Sequence, residues 1–121
     1  MAAKTPAASI QATDGNQGQG GRKRLTVSWS LANGDTIAPY VVPVWAALVN
    51  WQFIPGTTGA GQFSQSYEDP TAAAPNNLVL VGSSLVATTL GTLTSPPNWI
   101  SGVCTAGSTN STFIAVFESA N

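Results

Sequence analysis

The sequence predicts an all-β domain: an antiparallel β-sandwich, Ig-like or jelly-roll-like, of seven or eight short strands behind an extended N-terminal arm. Three observations predict it. Leu25, Val27, Trp29 and Leu31 alternate strictly with Thr26, Ser28 and Ser30, the period of a half-buried strand. Short apolar runs follow along the chain, each bounded by Gly, Pro or Asn. No segment of ten or more residues has helical periodicity. Residues 25–121 match the ~100 residues of one sandwich, and the chain of 121 residues has no room for a second domain.

Residues 1–24 read as the arm. They hold one isoleucine among many Gly and Gln, too little apolar surface to offset the entropy of ordering. Such an arm is either a tail without a role or a segment that orders along a partner or a neighbouring copy. Gly15, Gly18, Gly20 and Gly21 do not form a phosphate loop, since no strand precedes them and no Lys-Ser or Lys-Thr pair closes them. Arg22, Lys23 and Arg24 end the arm.

The first strand, Leu25 to Leu31, runs into Ala32-Asn33-Gly34-Asp35, and Asn-Gly between alternating runs signals a hairpin. Thr36 to Val42 contains Pro39, which cannot donate to a ladder, so it is an edge strand or an extended crossing. Ala46 to Ile54 is the best central strand, with Ala47, Val49, Trp51 and Phe53 on one face. Gln62 to Glu68 puts Phe63 and Tyr67 on one face. Thr71 to Asn77 is a long loop with room for one helical turn at its alanines. Leu78 to Val81 reads as a strand buried on both faces, and Leu85 to Leu90 as another. Trp99 to Cys104 and Thr112 to Glu118 are the last two.

Charge narrows the functional classes. Only 7% of residues are charged, against roughly 25% in ordinary soluble domains. Charge is what keeps sheets from sticking edge to edge, so a surface this neutral suits a protein that lives inside an assembly. The arm carries +3 and residues 25–121 carry −4, with no lysine or arginine. An acidic body does not attract nucleic acid; a basic arm does, but +3 is small.

Chemistry is sparse. Without histidine the usual general base and commonest metal ligand are missing. Glu68 and Asp69 are adjacent and point to opposite faces of a strand. A turn at Asp69-Pro70 would leave room for a weak calcium site, against the simpler reading of two solvated charges at a strand end. Cys104, the only cysteine, lacks a neighbouring base and reads as a small buried hydrophobe. The expectation is a non-enzymatic chain with no cofactor and no metal. The N-terminus lacks the apolar run of a signal peptide and no stretch suits a membrane span, so synthesis in the cytoplasm and no membrane partner are expected. Asn110-Ser111-Thr112 reads as a chance sequon.

Four tryptophans are many for this length. Trp29 and Trp51 fall on the apolar faces of their strands and belong to the core. Trp45, after Pro43-Val44, and Trp99, after Pro96-Pro97-Asn98, lie outside that alternation. They are candidates for an interface or a ligand surface. A carbohydrate-binding module would stack sugars on them, but no Asp, Asn, Arg or Gln cluster stands beside either in sequence.

The order of motifs resembles the small β-sandwich virion proteins of tailed bacteriophages. It begins with Val27-Ser28-Trp29 and Asn33-Gly34, then Trp51-Gln52-Phe53-Ile54-Pro55 and Phe63 to Asp69. It continues with Leu78-Val79-Leu80-Val81-Gly82, Gly91-Thr92-Leu93-Thr94 and Phe113 to Phe117. Where such proteins carry Asp-Gly-x-Asp, this chain has Pro70 to Asn77. The resemblance implies a head decoration (cement) protein that stabilises the shell by binding the major capsid protein, often as a homotrimer. A neck or tail accessory subunit is the second reading. A carbohydrate-binding module and a small icosahedral coat protein with a nucleic-acid arm are the readings from outside. The expected partner-binding residues are Arg22, Lys23, Arg24, Trp45 and Trp99, the basic three meeting acidic groups on the partner.

Overall fold

The computed structural model describes residues 2–13, 23–70, 78–93 and 96–120. Arg22, the glycine-rich run and the Thr71–Asn77 loop lie outside the described residues. The described chain is all-β and builds two facing five-stranded sheets. The strands are β1 (Ala3–Lys4), β2 (Ala8–Thr13), β3 (Lys23–Leu31), β4 (Thr36–Val41), β5 (Leu48–Ile54), β6 (Ala60–Ser66), β7 (Val79–Leu80), β8 (Thr89–Leu93), β9 (Trp99–Ala106) and β10 (Ser111–Glu118). One sheet has the order β1-β4-β9-β6-β7 and the other β2-β3-β10-β5-β8.

From β3 to β10 nearly every connection crosses between the sheets; only β6 and β7 are consecutive neighbours. All their pairings are antiparallel. An Ig sandwich would keep several consecutive strands side by side. The order β3-β10-β5-β8 facing β4-β9-β6-β7 is the eight-stranded jelly roll. Seven of these eight fall on strands the sequence predicts, and β8 does so only at Thr89 and Leu90.

The Asn33-Gly34 signal does not make a hairpin. Asp35 N–H donates to the Ala32 carbonyl at 2.9 Å, so a tight turn forms. Gly34 has φ +90°, while Asn33 stays out of the positive-φ region. That is the type II pattern, whose twist splays the flanking strands, not the primed turn that joins a ladder. β3 and β4 accordingly leave the turn into opposite sheets.

The core fills by alternation from both inner faces. Val27, Trp29 and Leu31 of β3, Phe113, Ala115 and Phe117 of β10 and Val49 and Phe53 of β5 meet Ile37, Phe63, Ile100 and Cys104. β4 contributes two inward residues at odd spacing because of a bulge. Ile37 pairs with Gly102 and Tyr40 with Ile100, so two residues of β4, Ala38 and Pro39, stand against one of β9, Ser101. Pro39 sits in that bulge, where no ladder donor is required. The bulge turns Tyr40 inward, 5.6 Å from Trp29 edge-on and 5.8 Å from Phe117 stacked. Phe113 closes the other half of the core against Phe53 at 5.0 Å and Phe63 at 5.2 Å.

Three further expectations are corrected. Leu78 to Val81 is not buried on both faces: only Val79–Leu80 pairs, at the sheet edge, and these side chains are 62% and 59% exposed. A continuous apolar run has no period to reveal which face is inside. Leu85 makes an isolated bridge to Gly61, and the next strand begins at Thr89. β6 ends at Ser66, whose hydroxyl accepts from Glu68 N–H and donates to the Glu68 carbonyl. This local turn bends the chain outward, so Tyr67 is exposed and does not share the buried face of Phe63. Trp51 does face Phe63 at 5.2 Å but is only half-buried, with its ring over Gly91 on the edge strand.

Two segments of the expected arm are strands. β1 adds to the edge of one sheet, parallel to β4, and β2 to the edge of the other, antiparallel to β3. Residues 2–13 therefore strap across one open side of the sandwich. Asp35 holds the strap. Its buried carboxylate accepts from Ala32 N–H at 3.0 Å and Ala2 N–H at 3.2 Å, with Lys4 Nζ at 4.0 Å. Removing it leaves the turn's donor unpaired. Asp35→Ala is expected to lower stability by about 1–3 kcal/mol, with Asp35→Asn retaining part of it. Urea unfolding followed by circular dichroism reads the difference, and equal midpoints for Asp35→Ala and the parent contradict the role.

Candidate partner-binding surface

Strand directions gather the described candidate residues at one end of the jelly roll. β3 begins there with Lys23 and Arg24, and β10 ends there at Glu118. Val41 of β4 pairs with Trp99 of β9, and Trp99 with Ser66 of β6, so Trp99 starts its strand at that same end. The loop from Val42 to Ala47 returns to β5, whose Leu48 pairs with Glu118, and it carries Trp45. Trp45 and Trp99 are both half-buried, and Trp45 packs against the core.

The two basic residues are already engaged within the chain. Arg24 Nη2 lies 3.5 Å from Glu118 Oε1. Glu118 Oε2 accepts from Asn50 Nδ2 at 3.0 Å, and Asn50 Oδ1 accepts from Thr92 Oγ1 at 2.7 Å. This polar row crosses β3, β10, β5 and β8 on the outer face of their sheet. An exposed pair of this kind contributes at most ~1 kcal/mol, so Arg24 loses little by changing partner. Lys23 Nζ stands 6.0 Å from the Trp45 ring centroid, at the outer limit of a cation–π contact. Arg22 lies outside the described residues.

Sequence reasoning missed three apolar side chains on this end. Val41 is 56% exposed, Tyr67 62%, and Val44, at the loop tip, fully exposed. The signal was present in Pro43-Val44-Trp45: a β-branched residue in a proline-bounded loop, off the strand alternation, has no inner face to turn to. The loops bearing these residues are tied by main-chain bonds. Val42 N–H donates to the Asn98 carbonyl at 2.8 Å, Asn98 N–H to the Ser66 carbonyl at 3.1 Å and Ala47 N–H to the Glu118 carbonyl at 2.8 Å. Asn98 Nδ2 adds a bond to the Tyr67 carbonyl at 2.7 Å. These loops are thus held in place before any partner arrives.

Glu68 and Asp69 lie beside this surface, Glu68 exposed and Asp69 half-buried. Among the described residues no three of His, Cys, Asp and Glu come together to hold a metal ion. Cys104 is fully buried, its Sγ 3.3 Å from the Ala106 carbonyl. No helix among the described residues is long and apolar enough to cross a membrane. No protein-family model matches the chain, and no curated protein matches it.

Proposed function

We propose that this chain is a structural protein of a tailed-bacteriophage virion, a capsid decoration protein that stabilises the head by binding the major capsid protein. The observation that carries the reading is the pre-ordered end surface: Val41, Val44, Trp45, Tyr67 and Trp99 beside the rim charges Lys23 and Arg24. Aromatic and aliphatic anchors with a charged rim are how protein interfaces gain affinity. The jelly roll supports the reading by fold analogy, since capsid domains use it; lectins use it too, which keeps glycan binding as the competing outcome. The low charge of the chain supports a life in contact with other subunits. The +3 arm argues for a place on the shell, not around the genome. The mechanism is mechanical: contact that exists only on the assembled shell favours that state by mass action.

Co-sedimentation with particles lacking the protein tests this. Val44→Asp is expected to weaken binding about 30-fold, the effect of losing one hot spot, while its thermal midpoint stays at the parent value. Lys23→Glu with Arg24→Glu is expected to weaken it a few-fold and in a salt-dependent way. Undiminished occupancy by both variants contradicts the proposal. Glycan binding lost in Trp45→Ala or Trp99→Ala would replace it with the lectin reading.

A further inference from the structure

We propose that residues 2–13 form an exchangeable strap, which pairs with β3 and β4 of a second copy of this chain when copies are brought together. The inference goes beyond the virion reading and does not depend on it.

Four observations carry it. None of the core residues comes from residues 2–11, whose side chains are exposed apart from the half-buried Pro6. The strap is therefore held by main-chain ladders: Ala8–Thr13 along Lys23–Ser28, and Ala3–Lys4 along Thr36–Ile37. Main-chain ladders, together with the Asp35 contact, are the same in every copy, so another copy's strap fits as well as the chain's own. Second, nine residues, 14–22, separate Thr13 from its register partner Lys23. A hairpin needs only 2–5, whereas nine extended residues span about 30 Å, roughly the reach to a neighbouring domain. Third, the strap covers strand edges that would otherwise be open. Beyond Lys23 and Arg24 at its start β3 carries no charge, and β4 carries none, so a bare Leu25–Leu31 or Thr36–Val41 edge would be a pairing template. Fourth, a copy that lends its strap uncovers its own edges and must receive one. That reciprocity makes exchange between identical chains a low-cost route to association.

The register supplies the test. Ile10 and Thr26 are direct partners in the β2–β3 ladder, and directly opposed residues lie within disulfide reach. Full-length Ile10→Cys and Thr26→Cys single variants are mixed at high concentration, once from the folded state and once by co-refolding from denaturant. A mild thiol oxidant follows. The native thiol at Cys104 is buried and is left in place. Ile10→Cys mixed with Thr57→Cys, an exposed position outside the ladder, measures random collision. The expected result is a disulfide-linked dimer several-fold above that control, growing with protein concentration. The matched pair cross-linking only at the control level in both protocols overturns the proposal.

Discussion

Trp29→Ala is expected to remove about 3–5 kcal/mol of stability, the range for emptying a fully buried aromatic site. Against a total of roughly 5–15 kcal/mol, that leaves the domain marginal or unfolded at room temperature. The site cannot collapse easily. Trp29 stands in the middle of β3, paired with Phe113 on β10, and its ring is wedged edge-on against Tyr40 from the opposite sheet. Tyr40 in turn is held by Phe117 and by the β4 bulge. Trp29→Phe separates area from polarity. The indole Nε1 is buried without a partner, so phenylalanine removes an unsatisfied donor together with part of the packing. Its cost is expected to stay below about 2 kcal/mol. Urea unfolding of both variants by far-ultraviolet circular dichroism gives the comparison. Equal losses for Phe and Ala contradict a packing role.

The second large effect comes from adding atoms. Gly61 on β6 lies under the two aromatic rings that close the other half of the core. A Cβ there would stand 2.6 Å from Phe113 Cζ, 2.9 Å from the Val103 carbonyl oxygen and 3.0 Å from Phe53 Cε1. Phe113 and Phe53 are fully buried and in contact with each other, and the third neighbour is backbone. None of the three can step aside cheaply. Gly61→Ala is expected to cost about 2 kcal/mol and Gly61→Val about 3 kcal/mol or more, at the upper end for overpacking. Thermal unfolding checks the order. A Gly61→Val protein as stable as the parent would mean that β6 does not approach β10 as described.

Both predictions rest on elements the sequence makes legible. β3 and β5 carry a clear two-residue period, and each lies inside its sheet, where one face must be apolar. The strands at the edges were harder to read. Val79, Leu80 and Leu90 are apolar and exposed, so the rule that apolar means buried fails where a sheet stops. The turn at Asn33-Gly34 was found, but its consequence was not: a residue pair encodes a tight turn, whereas Gly34 alone at positive φ makes it splay the strands. Of the candidate surface, Trp45 and Trp99 were marked out by the prolines before them. The partner of Arg24 was not legible, because Glu118 lies 94 residues away and reaches it only through the β3–β10 register. Nor was the convergence of Val41, Val44 and Tyr67 with the two tryptophans, which depends on the jelly-roll connectivity.

The most direct measurement is quantitative mass spectrometry of purified virus particles from the host that expresses this chain. The virion reading predicts that the chain co-purifies with intact particles at a fixed molar ratio to the major capsid protein. Particles free of the chain, with all of it left in the soluble fraction of the lysate, contradict it.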